Sequence, residues 1–433
     1  MNEKQPQTVD NFNDFNQAIL NGVKHITITR SIFCLSSITL PPNTVLEGQN
    51  QENGVKPSLS FADTHGICVT QNNQIHNLNI QADADKKAIF NSLMVEDLGQ
   101  FSFTDLTLVG QFSFILRRGA KTANLAVKNL DIIFADTRKN FEQPQKYGAN
   151  VLQGAFTVFN QNSDEASLIT LNVDNISIGR EYAPIVGSGL FVSGFGDKGG
   201  RLVADKITTG AIYSNGKLPQ GTPNIITAGV FVVYGAEVKE LIHNGEITTY
   251  GVNDMVLDTW GTVGNWTSHK AITSYGASGI GFVNFGQVEN FVVKAPVVTY
   301  GQGARGYNQY DGTVKNIEFD SIATFGNGSI GVQISKPIGN FTVHKDITTH
   351  GGEGDSLVKG VVVQLKAIAL SVKEDGVVEN LSVGGDIASH GDGVTAYEVA
   401  GEVKALSVKG EIKAHGKNAK NVDMVGEGKS TTI

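Results

Sequence analysis

Cysteine is nearly absent from this chain of 433 residues, and the two present, Cys34 and Cys68, cannot by themselves build a disulfide framework or a metal site. Cys68 alternates with Ile67 and Val69 and reads as a small core residue. Proline is scarce too, at 10 residues, which suits a fold that cannot give up backbone donors from its strands. No apolar run approaches the roughly 18 residues of a membrane span. Met1–Gln7 is polar, so no signal peptide is expected, and the chain reads as cytoplasmic or as secreted with its signal removed. Lys and Arg number 34 against 42 Asp and Glu, and the net charge of −8 argues against nucleic acid or an anionic membrane as partner. A phosphate-cradling glycine motif, a nucleophile elbow and a Cys/His pairing are all missing, so no cofactor is expected.

Glycine, by contrast, is abundant at 51 residues, and its spacing organises the chain. From Gly251 to His350 run four consecutive blocks of 25 residues, punctuated at Thr249-Tyr250-Gly251, Ser274-Tyr275-Gly276, Thr299-Tyr300-Gly301, Thr324-Phe325-Gly326 and Thr349-His350-Gly351. A fixed period of this size with Val, Ile, Phe and Tyr between the glycines predicts a solenoid whose repeats stack on one another. A second signature recurs inside the blocks: Val263-Gly-Asn265-Trp266, Val288-Glu-Asn290-Phe291, Val314-Lys-Asn316-Ile317 and Ile338-Gly-Asn340-Phe341. Its alternation has period two, so each block holds about three short strands joined by tight turns. Parallel strands ~4.8 Å apart would pile equal positions into columns, and an asparagine column can bond its own amides up the stack.

These features resemble a right-handed parallel β-helix of the pectin-lyase-like superfamily. Asn77, Asn129, Asn175 and Asn380 extend the asparagine position, and Asp105, Asp205, Glu240 and Ala405 replace it elsewhere, so the resemblance covers nearly the whole chain. It implies an all-β fold of about 11 to 13 coils and says nothing of the chemistry, since one scaffold hosts many functions. The Gly-His and Arg-x-Lys signatures of polygalacturonases and the aspartate run of pectate lyases are absent, so no catalytic residue carries over from those enzymes.

Phe12, Phe15 and Ile19 recur at helical spacing between Thr8 or Asp10 and Asn21, which predicts a short helix capping the first coil. The expected division is 1–48 for the cap and first strands, 49–425 for the β-helix and 426–433 for a tail. With no capping helix evident at that end, a homo-oligomer through the C-terminal coil is a further expectation. Insertions near Phe134–Asn150, Gly179–Gly187 and Gly210–Ile225 are expected to emerge at one corner as a wall, and Asp355–Asp375 reads as strand-like.

The candidate chemistry lies on the strand that opens each block. Leu257, Phe282, Tyr307 and Val332 read as inward, which sets the glycines 281, 306 and 331, the polar Asp258 and Asn308 and the rings of Trp260, Phe285 and Tyr310 on an outward face. Such a face suits a neutral oligosaccharide, with rings against the pyranose and amides on its hydroxyls. Asp258 is the candidate acid or base, with Glu181 from the wall or Asp311 two coils on as second carboxylate; Asp254 is a further candidate that pairs with Asp258 only if a turn intervenes. Asp254 is four residues away, ~13 Å in extended chain. Trp260, Arg305, Asn308 and Tyr310 are the candidate substrate-binding residues. The expected activity is that of a hydrolase, lyase or transglycosylase, and the alternative is a non-catalytic adhesion or scaffolding solenoid. His350, His390 and His415 share their column with Tyr and Phe, so no metal is expected there.

Overall fold

The structure, a computed structural model, describes residues 6–52, 54–92, 94–219, 222, 224–358 and 360–425. The tail expected at 426–433 lies outside the described residues. The chain is a parallel β-helix solenoid with one short helix near its N-terminus. It forms two compact units: Met1–Glu142 with Gln153–Ala211 and Tyr234–Lys239, and Gln143–Leu152 with Ile212–Val233 and Glu240–Ile433.

In the first unit the helix spans Phe12–Leu20, and the Asn11 side chain accepts the Asp14 N–H at its start. Phe15 and Ala18 are fully buried, and the helix packs on the strands Gln7–Val9 and Ile32–Cys34. Three long strands, Asp97–Val109, Thr122–Phe134 and Leu168–Ile178, then pair in parallel. Asp105, Asn129 and Asn175 interrupt their alternation with φ of 56°, 51° and 64°. Asparagine and aspartate tolerate that left-handed conformation better than other residues with a Cβ. Asn175 Nδ2 donates to Asn129 Oδ1 (3.1 Å), and Asn129 Nδ2 to Asp105 Oδ1 (2.8 Å).

The second unit repeats three strands per coil. Ile247–Thr249, Asp254–Thr259 and Thr262–Ser268 are followed by Ile272–Ser274, Ile280–Asn284 and Gln287–Val293, each parallel to its predecessor. The next coil supplies Val297–Thr299, Arg305–Gln309 and Thr313–Phe319. Large rings fill the interior: Phe282 stacks on Phe291 with centroids 3.9 Å apart, and Tyr307 and Phe319 continue the file. Trp266 is fully buried and its Nε1 donates to His243 Nε2 (2.8 Å), which requires an unprotonated acceptor nitrogen. Burial pushes the His243 imidazole down to about 3, in keeping with that role.

Outside the coils run two files. Asn380 donates to Asn340, Asn340 to Asn316, Asn316 to Asn290 and Asn290 to Asn265, at 2.6–2.8 Å. The junction rings Tyr250, Tyr275, Tyr300, Phe325, His350, His390 and His415 stack almost parallel, with centroids 4.6–5.4 Å apart. The glycines 281 and 306, expected outward, face the interior instead. A Cβ on Gly281 would lie 2.6 Å from Val297 Cγ1, and one on Gly306 would lie 2.3 Å from Ile322 Cγ2. Close approach of the neighbouring strand, not a ligand, requires glycine there.

Two insertions fold as antiparallel hairpins, Gln145–Lys146 with Ala149–Val151 and Glu353–Val358 with Val361–Lys366. The first docks Asn150 and Val151 in parallel on Ile225 and Ile226. Its two-residue turn holds Tyr147 and Gly148 at φ of 54° and 82°.

Candidate functional site

The register of the opening strands sets which side chains meet. Asp258, Val283, Asn308 and Gln333 are directly opposed in successive coils, as are Met255, Ile280, Arg305 and Ile330. Asp258, Val283, Met255 and Ile280 all line one cavity, so both files point away from the coil interior. The outward direction expected for Asp258 and Trp260 therefore holds, but the face is not open. Asp258 and Asn308 are 0% exposed, Arg305 1% and Trp260 5%. The two hairpins provide the cover: Tyr147, Gly148 and Ala149 from the first and Leu357 and Gly360 from the second line the same cavity.

Four rings shape it. Tyr147 stacks on Phe285 (4.5 Å) and meets Trp260 edge-on (5.5 Å), and Phe285 stacks on Tyr310 (5.0 Å). A bulky residue at positive φ is a strained choice, costing about 1–3 kcal/mol, and such outliers gather at functional sites. The strain at Tyr147 has a visible return in the two rings it contacts. The cavity is about 60 Å³, enough for about four waters at ~15 Å³ each and too small for a sugar ring. A second cavity, about 280 Å³, lies beside it, lined by Thr222, Gln302 and Asp355 among others. The two share Ser278 and Leu357 as a common wall. Ser278 Oγ accepts the Leu357 N–H across that wall at 3.1 Å.

The polar groups beneath the cover are poorly answered. Both Asp258 oxygens lack a partner of hydrogen-bond geometry, and burial raises its carboxyl well above the usual carboxylate range, with the adjacent Thr259 N–H, too poorly placed to count as a hydrogen bond, acting the other way. Arg305 donates from Nη2 to Ser356 Oγ (3.1 Å) and leaves Nε and Nη1 unused, and both amide atoms of Asn308 are unpartnered. Arg305, which the alternation places inward, sits instead in the outward file with Met255 and Ile280, because the strand makes two inward steps in succession at the glycine position.

Of the candidate carboxylates Asp258 alone lines the cavity. Asp254 is buried at the turn, where its Oδ2 accepts the N–H groups of Gly216 (3.1 Å) and Gly251 (3.3 Å). Burial pushes its carboxyl up to about 7 against those bonds. Its place is that of a backbone tie, and it does not line the cavity. Glu181 is exposed in the Arg180–Ala183 turn of the first unit and does not line it either. Asp258 is thus the single carboxylate among the described residues of the lining. Among the described residues no group of three or more His, Cys, Asp or Glu could hold a metal ion. Sequence reasoning missed Tyr147, Ser278 and Leu357; the Tyr147-Gly148 pair inside a polar insertion is the one signal that pointed to a tight hairpin tip.

The fold and site define a parallel β-helix with an outward aromatic and polar face roofed by two hairpins. Comparisons with protein-family models, with curated proteins and with solved structures find no match. The functional reading rests on the geometry alone.

Proposed function

We propose that this chain is a carbohydrate-binding β-helix, akin to the pectin-lyase-like superfamily, that takes a neutral saccharide on the face beneath its hairpins. The observation that carries the reading is the convergence of Tyr147, Trp260, Phe285 and Tyr310 around one buried acid. Rings of this kind accept the apolar face of a pyranose, and a protonated carboxyl donates to a hydroxyl. Hydrolysis is the weaker part of the earlier expectation, because glycosidases use two carboxyl groups ~5–9.5 Å apart and the lining holds one carboxylate. Binding without bond cleavage accounts for the residues present.

A second reading, a scaffold with no ligand, is favoured by the size of the cavity, about 60 Å³, and by the Phe285–Tyr310 stack, which stabilises the coils whether or not anything binds. An oligosaccharide array probed with the native protein and with Trp260→Ala and Tyr310→Ala separates the two. Binding by the native protein that falls at least tenfold in both variants supports the carbohydrate reading. No binding, or equal binding by all three, leaves the scaffold.

A further inference from the structure

We propose that the hairpin of strands Glu353–Val358 and Val361–Lys366 is a lid, and that Arg305 and Asn308 beneath it form a second subsite for the same ligand. The inference rests on the carbohydrate reading for the ligand's identity, but the lid rests on independent observations.

The first observation is a mismatch between burial and bonding. Asp258, Arg305 and Asn308 are at most 1% exposed, yet both Asp258 oxygens, two Arg305 nitrogens and both Asn308 amide atoms lack partners. Leaving such groups dry is costly, above all at the guanidinium. A closed hairpin with nothing beneath it is therefore poorly stabilised. Water must reach these groups, or a ligand must replace it.

The second observation is how little holds the hairpin shut. Its described polar ties to the coils include the Leu357 N–H on Ser278 Oγ, Ser356 Oγ on the Gly303 carbonyl (2.9 Å) and Arg305 Nη2 on Ser356 Oγ. The strands bond to each other rather than into the parallel stack, so lifting the pair leaves the coil ladders intact. Val361 and Val362 are 61% and 58% exposed, so its outer strand adds little apolar burial.

The third observation is volume. The cavities of about 60 and 280 Å³ meet at Ser278 and Leu357 and together reach the ~300 Å³ at which ligand pockets begin, and the hairpin's own Asp355, Ser356, Leu357 and Val362 line the larger one. Arg305 and Asn308 line neither cavity while the hairpin is closed, but they oppose Ile280 and Val283 of the smaller one from the next coil, and Arg305 contacts Ser356 in the wall of the larger. A saccharide seated on Trp260 would present its next hydroxyls to the Asn308 amide and the guanidinium.

Thiol labelling of the Asn308→Cys variant measures the lid directly, with Cys34 and Cys68 as buried internal references. The introduced thiol is expected to react at least tenfold faster than either reference. Adding Ser278→Cys and Leu357→Cys and oxidising that pair should abolish the difference, and reduction should restore it. Labelling no faster than at Cys34 and Cys68, or unchanged by the cross-link, overturns the lid. For the subsite, Arg305→Met should weaken binding of the array-selected oligosaccharide at least tenfold, whereas Ser356→Ala, which removes the same hairpin tie but keeps the guanidinium, should leave the affinity unchanged. Unchanged affinity overturns the subsite. A labelled, gated thiol in a protein that binds no oligosaccharide overturns the carbohydrate reading and the subsite while the lid stands.

Discussion

Two outer faces of the same coils treat polar side chains in opposite ways. On the Thr262–Ser268 series the amides of Asn265, Asn290, Asn316, Asn340 and Asn380 recur at equal heights, and each is answered by the next coil. On the Asp254–Thr259 series the equal positions are Asp258, Val283, Asn308 and Gln333: Asp258 opposes an apolar side chain, Gln333 donates to Ser335 and not to Asn308, and Asp258 and Asn308 go unanswered. A solenoid stabilises a polar side chain by repeating it. Where the repeat is broken beneath a cover, stacking gives no account of the polar group, and a ligand or solvent must.

The largest expected effect tests whether buried, weakly answered groups stay neutral. Asp254 is raised to about 7, so the folded state holds its proton and stability is lost as pH climbs from the ordinary carboxylate range to about 7, by about 4 kcal/mol in all. His243, lowered to about 3, acts in the other direction, and its share of stability is lost as pH falls from about 6.5 towards 3. Between pH 4 and 6.5 the two slopes oppose each other. Urea unfolding across this range should show Asp254→Asn losing stability on acidification more steeply than the native protein. Parallel curves would mean that Asp254 is ionised in the fold.

Next in size is the answered face. Asn316→Ala removes one amide that both donates and accepts and should cost about 1–3 kcal/mol by chemical denaturation. Combined with Asn290→Ala the loss should be less than the sum, because the two share a bond. Strict additivity would break the file into independent surface residues. The unanswered face should respond with the opposite sign. Asn308→Val, which copies Val283 one coil away, should stabilise the ligand-free protein by about 1–2 kcal/mol. A loss instead would show that the Asn308 amide has a partner in solution.

The smallest effect is at the exposed ring file. His390 is shifted down, first by partial burial and then by His350 and His415. Its folded form therefore resists protonation, and stability should decline slightly as pH falls below about 6.5. His390→Phe, which extends the Phe325 side of the stack, should remove that slope in thermal melts taken at several pH values.

The solenoid was legible because stacking turns spacing in the chain into contact in space: Gly251 to His350 carries both the 25-residue period and the asparagine position. The helix was legible from Phe12, Phe15 and Ile19, though it is shorter at both ends than its flanking residues suggested. The site was legible only in part. Asp258, Trp260 and Tyr310 share a face as the alternation implied, but Arg305 and the glycines broke the alternation, since consecutive inward positions at Val256 and Leu257 shift parity. The cover was legible only as insertions, near Phe134–Asn150 and at Asp355–Asp375, and not in where they dock. Tyr147 and Leu357 reach the face through insertions that obey no period, and a hairpin's docking partner is set by contacts far away in sequence.

Period also quantises what the protein can measure. Outward groups in one file of the second unit can differ in height only by whole steps of ~4.8 Å, so the surface is graduated like a ruler. Excising the 25 residues from Gly276 to Tyr300 would join Tyr275 to Gly301, keep ring, glycine and asparagine in register, and seat Trp260 one step from Tyr310 in place of two. A single-residue deletion inside a strand would misalign the files that follow it in that coil, whereas a turn can absorb one residue, as Asp311-Gly312 does between Asn290 and Asn316. For such a chain, gaining or losing a whole coil by recombination is the gentler change, and the span of any ligand it holds can be reset one notch at a time.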